Sequence, residues 1–434
     1  MTMDVNELLQ RGLDFHRIGQ LDEAVKFYTQ VIRFAPNASI AHFYLGIAKR
    51  DLGMLDEAIL NLRNAIATDP KFFTAYFDLG NVYYATGKKL DALQCYLSVI
   101  ELQSDFGKAY NNINVILQEL KDPEIALMCY RRIFESVKDF AQIGPLRVRI
   151  EPSSACNLRC QHCPTGTNYK KTDRSIMKMD VFERILAQLK GFKNIFDCFL
   201  YLGGEPLLNA NLASMCRRVK EETSIVQVSF NTNGMLINEQ VCQDLAGSNI
   251  DRIGVSIDGR SPEENNAIRR GSNYDTVVAN INTMISYMPS TVIAIDSTVI
   301  KRPNDSDKPE VPHSLNRDFP NICKSVSYAM VWPGFKKDKS MLTNLKTETL
   351  KPDMFCIMPF TNMVIRANGD VILCCYDILG EHVIGNIFKK DLMSIWNSGA
   401  YQKLRNSVIN RNIKQLPKVC RKCKQYTGDI LLIG

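Results

Sequence analysis

The sequence predicts a composite chain: an α/β core forming a partial barrel of six βα units, preceded by an all-α solenoid and followed by a small α+β cysteine-bearing domain. Three observations lead there. A 34-residue period runs through the first third, β-branched runs alternate with helical stretches from Leu146 onward, and cysteine motifs stand in both later segments. The expected boundaries are 1–140 for the solenoid, 144–345 for the core and 346–434 for the last domain.

Bulk properties narrow the class. With 434 residues, 45% hydrophobic and 23% charged, the chain is long enough for two or three cores and reads as a water-soluble globular protein. The start, MTMDVNELLQRGLDF, lacks a basic patch followed by an apolar run, and no segment approaches the length of a membrane span. A cytoplasmic location without membrane contact is expected. The net charge of +7 is spread among acids, so no nucleic-acid partner is expected. Fourteen cysteines in a cytosolic chain favour metal ligation over disulfides. Cys95, Cys129, Cys198, Cys216, Cys242 and Cys323 stand alone and are expected to be buried, unreactive thiols.

The solenoid is read from columns. Ala24, Ala58, Ala92 and Ala126 recur with the period, as do Gly12, Gly46 and Gly80, then Gly19, Gly53 and Gly87, then Pro36 and Pro70. A large residue follows each Ala after three positions: Tyr28, Leu62, Tyr96 and Tyr130. Small residues let paired helices approach, and large ones fill the groove between them. The fourth unit is degraded, with Asn114 in the glycine column and Ser104 in the proline column. The segment from Tyr76 to Tyr83 spells the first helix of a tetratricopeptide repeat, which the whole region resembles. Such solenoids hold peptides or partner proteins, so a peptide or protein partner is expected, with a spacer or dimerisation face as the other reading.

In the core, strands are expected over Arg147–Glu151, Cys198–Leu202, Val226–Phe230, Arg252–Ile257, Val292–Ile300 and Val326–Val331. Ligand groups in such a sheet lie beyond the carboxyl ends of strands. After the first strand comes Cys156-x3-Cys160-x2-Cys163, three thiols in a short loop. Three thiolates on a 4Fe-4S cluster leave one iron open to an amino and carboxylate pair. A zinc site is the alternative and would need a fourth ligand. His162 is awkwardly placed for that and is expected to pack against a cofactor.

The CxxxCxxC loop after a first strand is the signature of the radical S-adenosylmethionine superfamily, which the chain resembles over roughly Leu146 to Asn344. The run Gly203-Gly204-Glu205-Pro206 after the second strand strengthens the resemblance. In that family it meets the methionyl amino group of S-adenosylmethionine, and glycines permit close approach of the backbone. The resemblance implies a partial (βα)6 radical SAM barrel with a 4Fe-4S cluster on Cys156, Cys160 and Cys163. Thr232 and Asn233 at the third strand end, and Ser256 and Asp258 at the fourth, are expected ribose and carboxylate contacts, with plain turn roles as the other reading. Arg270 is a further candidate for a carboxylate. The stretch Lys301 to Pro320, with four prolines, is expected to be an irregular loop.

The last domain holds Cys356, Cys374, Cys375, Cys420 and Cys423. Ala367 to Asp370 reads as a hairpin turn, and Asp391 to Asn406 as one helix. This region resembles the SPASM type of auxiliary-cluster domain, with Gly369-x4-Cys374 as its hairpin. No cysteine follows Cys423, which brings it closer to the shortened twitch version with one auxiliary 4Fe-4S cluster on Cys356, Cys374, Cys420 and Cys423. Four thiolates also suit structural zinc, and Cys375 could replace Cys374.

The resemblance implies reductive cleavage of the cofactor to a 5'-deoxyadenosyl radical, fed by a flavodoxin- or ferredoxin-like reductant, and abstraction of a substrate hydrogen. An auxiliary cluster that accepts the second electron favours a two-electron oxidation, so a radical SAM oxidoreductase or maturase is expected. Asp377 and Tyr376 are the candidates for the base, by proximity to Cys374 alone, although an ordinary surface role suits Asp377 as well.

Overall fold

The computed structural model describes residues 4–136, 144–167, 174–192, 195–333, 345–349, 356–423 and 429–433, apart from positions 105, 121 and 307. The chain divides into two compact units, Met1–Ile143 and Gly144–Gly434.

The first unit is built of helices α1 (Val5–Arg17), α2 (Leu21–Phe34), α3 (Ser39–Asp51), α4 (Leu55–Thr68), α5 (Phe73–Ala85), α6 (Lys89–Leu102), α7 (Gly107–Leu120) and α8 (Pro123–Ser136). The repeated columns have a steric cause. A Cβ at Gly12, Gly46 or Gly80 would stand 2.6 Å, 2.8 Å and 2.6 Å from Tyr28, Leu62 and Tyr96 of the following helix. Ala24, Ala58 and Ala92 are fully buried at the same seams. Gly19, Gly53 and Gly87 turn the chain between paired helices at φ of 77°, 78° and 77°.

In the second unit, strands β1 (Arg147–Ile150), β2 (Asp197–Phe199), β3 (Gln227–Thr232), β4 (Arg252–Ser256), β5 (Val292–Val299) and β6 (Cys323–Tyr328) lie side by side in chain order, all parallel. Helices α9 (Pro164–Thr167), α10 (Met179–Leu189), α11 (Leu212–Glu222), α12 (Glu239–Ala246), α13 (Pro262–Ile268), α14 (Tyr274–Tyr287) and α15 (His313–Asp318) fill the connections. The chain continues through β7 (Leu345–Thr349), α16 (Met358–Thr361), β8 (Asn362–Ile365), β9 (Asp370–Ile372) and β10 (Val383–Asn386). It ends in α17 (Leu392–Trp396), α18 (Gly399–Ile409), α19 (Lys418–Arg421) and β11 (Asp429–Ile433). β8 pairs in parallel with the free edge of β1, from Arg147 opposite Asn362 to Ile150 opposite Ile365. The hairpin β8–β9, turned at Gly369 with φ of 83°, and then β10 therefore extend the barrel sheet to nine strands. β7 and β11 form a separate antiparallel pair.

Four expectations need correction. The sixth strand begins three residues earlier than the apolar run Val326–Val331, because it is an edge strand whose alternate residues face outward. The helix expected over Asp391–Asn406 is two helices, since Ser398 caps the second by accepting the N–H of Tyr401. The stretch from Lys301 to Pro320 contains α15, and Tyr328 donates its hydroxyl to the Ser306 carbonyl at 2.6 Å. Cys323 is exposed at the start of β6, whereas the other five solitary cysteines are buried. Among the described residues no helix is long and apolar enough to cross a membrane.

Candidate functional site

The first site lies beyond the carboxyl ends of β1 to β4, and its floor is the cysteine loop. That loop is sewn to the end of α13 and the residues just after it: Arg159 N–H donates to the Arg270 carbonyl at 3.0 Å, Gln161 N–H to that of Ile268 at 2.9 Å, and the Gln161 side chain to that of Ala267 at 2.8 Å. Cys156 Sγ accepts the N–H of Leu158 at 3.4 Å. Burial pushes the Cys156 thiol up to about 11 and that of Cys160 to about 12, opposed in both by the charge of Arg269. A metal must therefore displace protons to bind here.

The Gly-Gly-Glu-Pro turn packs directly beneath. A Cβ on Gly204 would stand 2.2 Å from the Ser153 carbonyl oxygen and 2.4 Å from that of Ala155, so only glycine passes. The next N–H, of Glu205, donates to the Ala155 carbonyl at 2.7 Å. Gly203 is less confined, with Ile378 Cγ1 and Thr165 Oγ1 at 3.1 Å and 3.2 Å from an added Cβ. Pro206 starts a short 3-10 turn. The buried Glu205 carboxylate accepts the Thr232 hydroxyl at 2.7 Å, the Asn233 N–H at 2.8 Å and the Leu207 N–H at 3.1 Å. Burial raises this carboxyl, and those three donors oppose the rise. The Asn233 amide in turn donates to Asn157 Oδ1 in the cysteine loop at 2.7 Å.

On the fourth strand's side, Asp258 accepts the Thr298 N–H at 2.8 Å through one oxygen and pairs with Arg269 Nη1 at 2.6 Å through the other. His162 Nε2 lies 3.6 Å from the same oxygen, and burial lowers its pKa. Its Nδ1 is buried with no hydrogen-bond partner. Ser256 is half-buried at the end of β4. Arg270 is half-buried beside the cysteine loop, and its neighbour Arg269 is buried within electrostatic range of Cys160 and Cys156. Burial opposes its charge, but Asp258 together with Cys160 and Cys156 holds the guanidinium above its ordinary value. A doublet of arginines after a short helix does not reveal which one turns inward.

The second thiol set is spread over three elements. Cys356 precedes α16, Cys374 and Cys375 follow β9, and Cys420 and Cys423 flank the end of α19. Burial pushes Cys356 and Cys374 well above the ordinary thiol value, and each feels the charges of Cys420, Cys423 and Cys375. Burial also raises Cys420 to about 12. Among the described residues no three His, Cys, Asp or Glu side chains close to the spacing of a single ion. The thiols are instead neighbours at the longer range over which charges interact. Cys374 is buried; Cys375 is half-buried and an electrostatic neighbour of Arg149.

Asp377 is not a surface residue, contrary to the plain expectation for it. It is 2% exposed, and its two oxygens accept the N–H groups of Glu381 at 2.9 Å and His382 at 2.8 Å. Burial raises its carboxyl, those two bonds opposing. The Tyr376 ring lies 5.7 Å from that of Trp332.

Comparison with known proteins agrees with this geometry. Residues 150–311 match the radical SAM superfamily, residues 356–424 an iron-sulfur cluster-binding domain of SPASM type, residues 46–87 a TPR repeat and residues 73–106 a tetratricopeptide repeat. A GTP 3',8-cyclase of Limosilactobacillus fermentum is 32% identical over 164 residues, 37% of this chain and 47% of that protein. The same enzyme of Lactiplantibacillus plantarum is 26% identical over 227 residues, 51% of this chain and 65% of that one. The chain thus spans about half the length of the first curated relatives it matches. Among solved structures, AdoMet-bound anSMEcpe matches at 19% identity over 65% of this chain and 88% of its own, with a TM-score of 0.48. Streptococcus suis SuiB bound to precursor peptide SuiA matches at 18% identity over 72% and 83%, with a TM-score of 0.47. The radical SAM domain implies a 4Fe-4S cluster and S-adenosylmethionine as cofactors, and the SPASM domain implies auxiliary iron-sulfur binding. The chain thus carries, in order, tetratricopeptide repeats, a radical SAM domain and a SPASM domain.

Proposed function

We propose that this radical SAM protein is an oxidoreductase or maturase that acts on a peptide or protein docked by its repeats. The observation that carries the radical step is the packing of the three-thiol loop against Glu205 and Arg269 at the strand ends. Cys156, Cys160 and Cys163 would hold the first cluster, and Cys356, Cys374, Cys420 and Cys423 one auxiliary cluster. When bound, the first cluster and S-adenosylmethionine supply a 5'-deoxyadenosyl radical.

The chain's own residues do the rest. Gly203 and Gly204 bring backbone close to the cofactor, and Glu205, free of side-chain cations within bonding distance among the described residues, suits its ammonium. Asp258 holds Arg269 towards the thiols, and the orphaned His162 Nδ1 suits a polar edge of the adenine. Asp377 and Tyr376 are the proposed acceptors of the proton an oxidation releases. Asp377 would have to give up one of its two backbone bonds to serve. A flavodoxin- or ferredoxin-like protein is the proposed reductant.

A second reading has a specific basis, the similarity of 164 residues to a GTP 3',8-cyclase, an enzyme named for a small-molecule substrate. In it the protein is a radical SAM dehydrogenase of a sugar or amino alcohol, with the repeats used only for assembly. Anaerobic reconstitution tests the common part. Wild type should bind roughly eight irons and a Cys156/Cys160/Cys163 triple Ala variant roughly four. Reduced wild type that forms no 5'-deoxyadenosine would overturn the enzyme assignment. Removing residues 1–140 separates the readings, since turnover of a small substrate survives only under the second.

A further inference from the structure

In the C-terminal module an aromatic and cationic stack is sealed in the core. The Arg405 guanidinium lies 4.2 Å from the Trp396 ring centroid and 5.1 Å from that of Tyr401, and the two rings are 5.0 Å apart. Trp396 and Tyr401 are fully buried and Arg405 is 1% exposed. The stack is tied to the second thiol set from two directions. Arg405 Nε donates to the Pro359 carbonyl at 2.9 Å, within α16 and three residues after Cys356. Tyr401 lies within electrostatic range of two ionisable side chains, Arg405 and Cys374.

Two donors of this stack are without a hydrogen-bond partner in the core: the Tyr401 hydroxyl and the Trp396 indole N–H. Buried hydroxyls are almost always satisfied, so an orphan beside a thiol expected to carry metal signals a partner that belongs to the bound group. Iron-sulfur clusters accept hydrogen bonds at their sulfurs, and such bonds raise the reduction potential by stabilising the added negative charge. Resting on the auxiliary-cluster reading above, we infer that Tyr401 is a positioning residue for that cluster. Its hydroxyl donates to a sulfur at the Cys374 corner and sets the potential at which the cluster accepts an electron.

The surroundings suit this role. Burial raises the phenol, which keeps its proton throughout the working pH range. Burial lowers Arg405 only to about 10, so its charge persists at neutral pH on the face of the same ring. A fixed cation there favours the reduced cluster in the same direction.

The test uses the full chain carrying the Cys156/Cys160/Cys163 triple Ala change, so that the auxiliary cluster alone reports. An EPR-monitored redox titration compares it with the same chain bearing Tyr401→Phe. The expected result is an unchanged iron content and a reduction equilibrium about tenfold less favourable, which is about 59 mV lower for one electron. An unchanged potential with iron retained overturns the inference. Should Tyr401→Phe fail to hold iron, 3,5-difluorotyrosine placed at position 401 decides, since it keeps the shape and strengthens the donor. The potential should then rise, and no rise overturns the inference. A triple Ala chain that takes up no cluster at all would overturn the auxiliary-cluster reading along with it.

Discussion

The carboxylate of Glu205 accepts the hydroxyl of Thr232 at 2.7 Å, joining the turn after β2 to the end of β3 beneath the cysteine loop. With the N–H groups of Asn233 and Leu207 on the same carboxylate, this one side chain ties its own turn to the end of β3 before any cofactor arrives.

Glu205→Gln keeps the shape but turns an amide donor toward groups that already donate. A buried donor left unsatisfied costs about 1–3 kcal/mol. Chemical denaturation of the metal-free protein should show that loss. S-adenosylmethionine should also bind more weakly to the reconstituted variant. Wild-type stability would refute the structural part.

Asp258 and Arg269 form a buried pair at 2.6 Å, 2% and 9% exposed at their side chains. Asp258→Asn leaves the guanidinium charge uncompensated and should cost about 3–5 kcal/mol. Arg269→Met leaves the carboxylate alone and should be comparably costly. The double variant should be more stable than the sum of the single losses predicts, a coupling that a double-mutant cycle measures directly.

Gly204→Ala and Gly203→Ala should differ sharply. The first drives a methyl into two carbonyl oxygens of the cysteine loop, which are backbone atoms and cannot swing aside, whereas the second meets side-chain atoms at 3.1 Å and 3.2 Å, a tight fit that a shift of a few tenths of an ångström in those side chains relieves. Iron retention after desalting should collapse for Gly204→Ala and stay near wild type for Gly203→Ala. Equal iron contents would contradict the geometry.

Iron loading should depend on pH with a definite sign. Burial holds Cys156 and Cys160 near 11 and 12, so both are protonated in the metal-free protein at neutral pH. Each thiolate that binds iron releases a proton, and lowering the pH by one unit should weaken apparent binding about tenfold per proton displaced. Competition with a chelator between pH 6 and 8 checks the slope, and a flat profile would contradict it.

Much of this was legible because the constraints are local in sequence. Gly46 faces Leu62 sixteen positions away in one repeat, so steric need recurs as a column. Likewise Cys156, Cys160 and Cys163 share one loop, so their spacing can be read without a fold. Strands flanked by helices on both sides print apolar runs, which is why β1, β3, β4 and β5 were found close to their true limits, whereas β2 ends at Phe199, three residues before the expected Leu202. Where burial is one-sided or a cap intervenes, the pattern misleads: β6 alternates as an edge strand, and Ser398 splits what reads as a single helix.

Determined by the sequence itself, then, were the repeats, the βα order and the two thiol sets, since each rests on spacings within a few tens of residues. Only the tertiary structure decided that β8 pairs with β1, that Arg269 is buried within electrostatic range of Cys156 and Cys160, and that Tyr401 lies within electrostatic range of Cys374. Those relationships join residues that are adjacent only after the chain has closed. A buried donor or charge selects its neighbour by distance in space, and no periodicity along the chain records that choice.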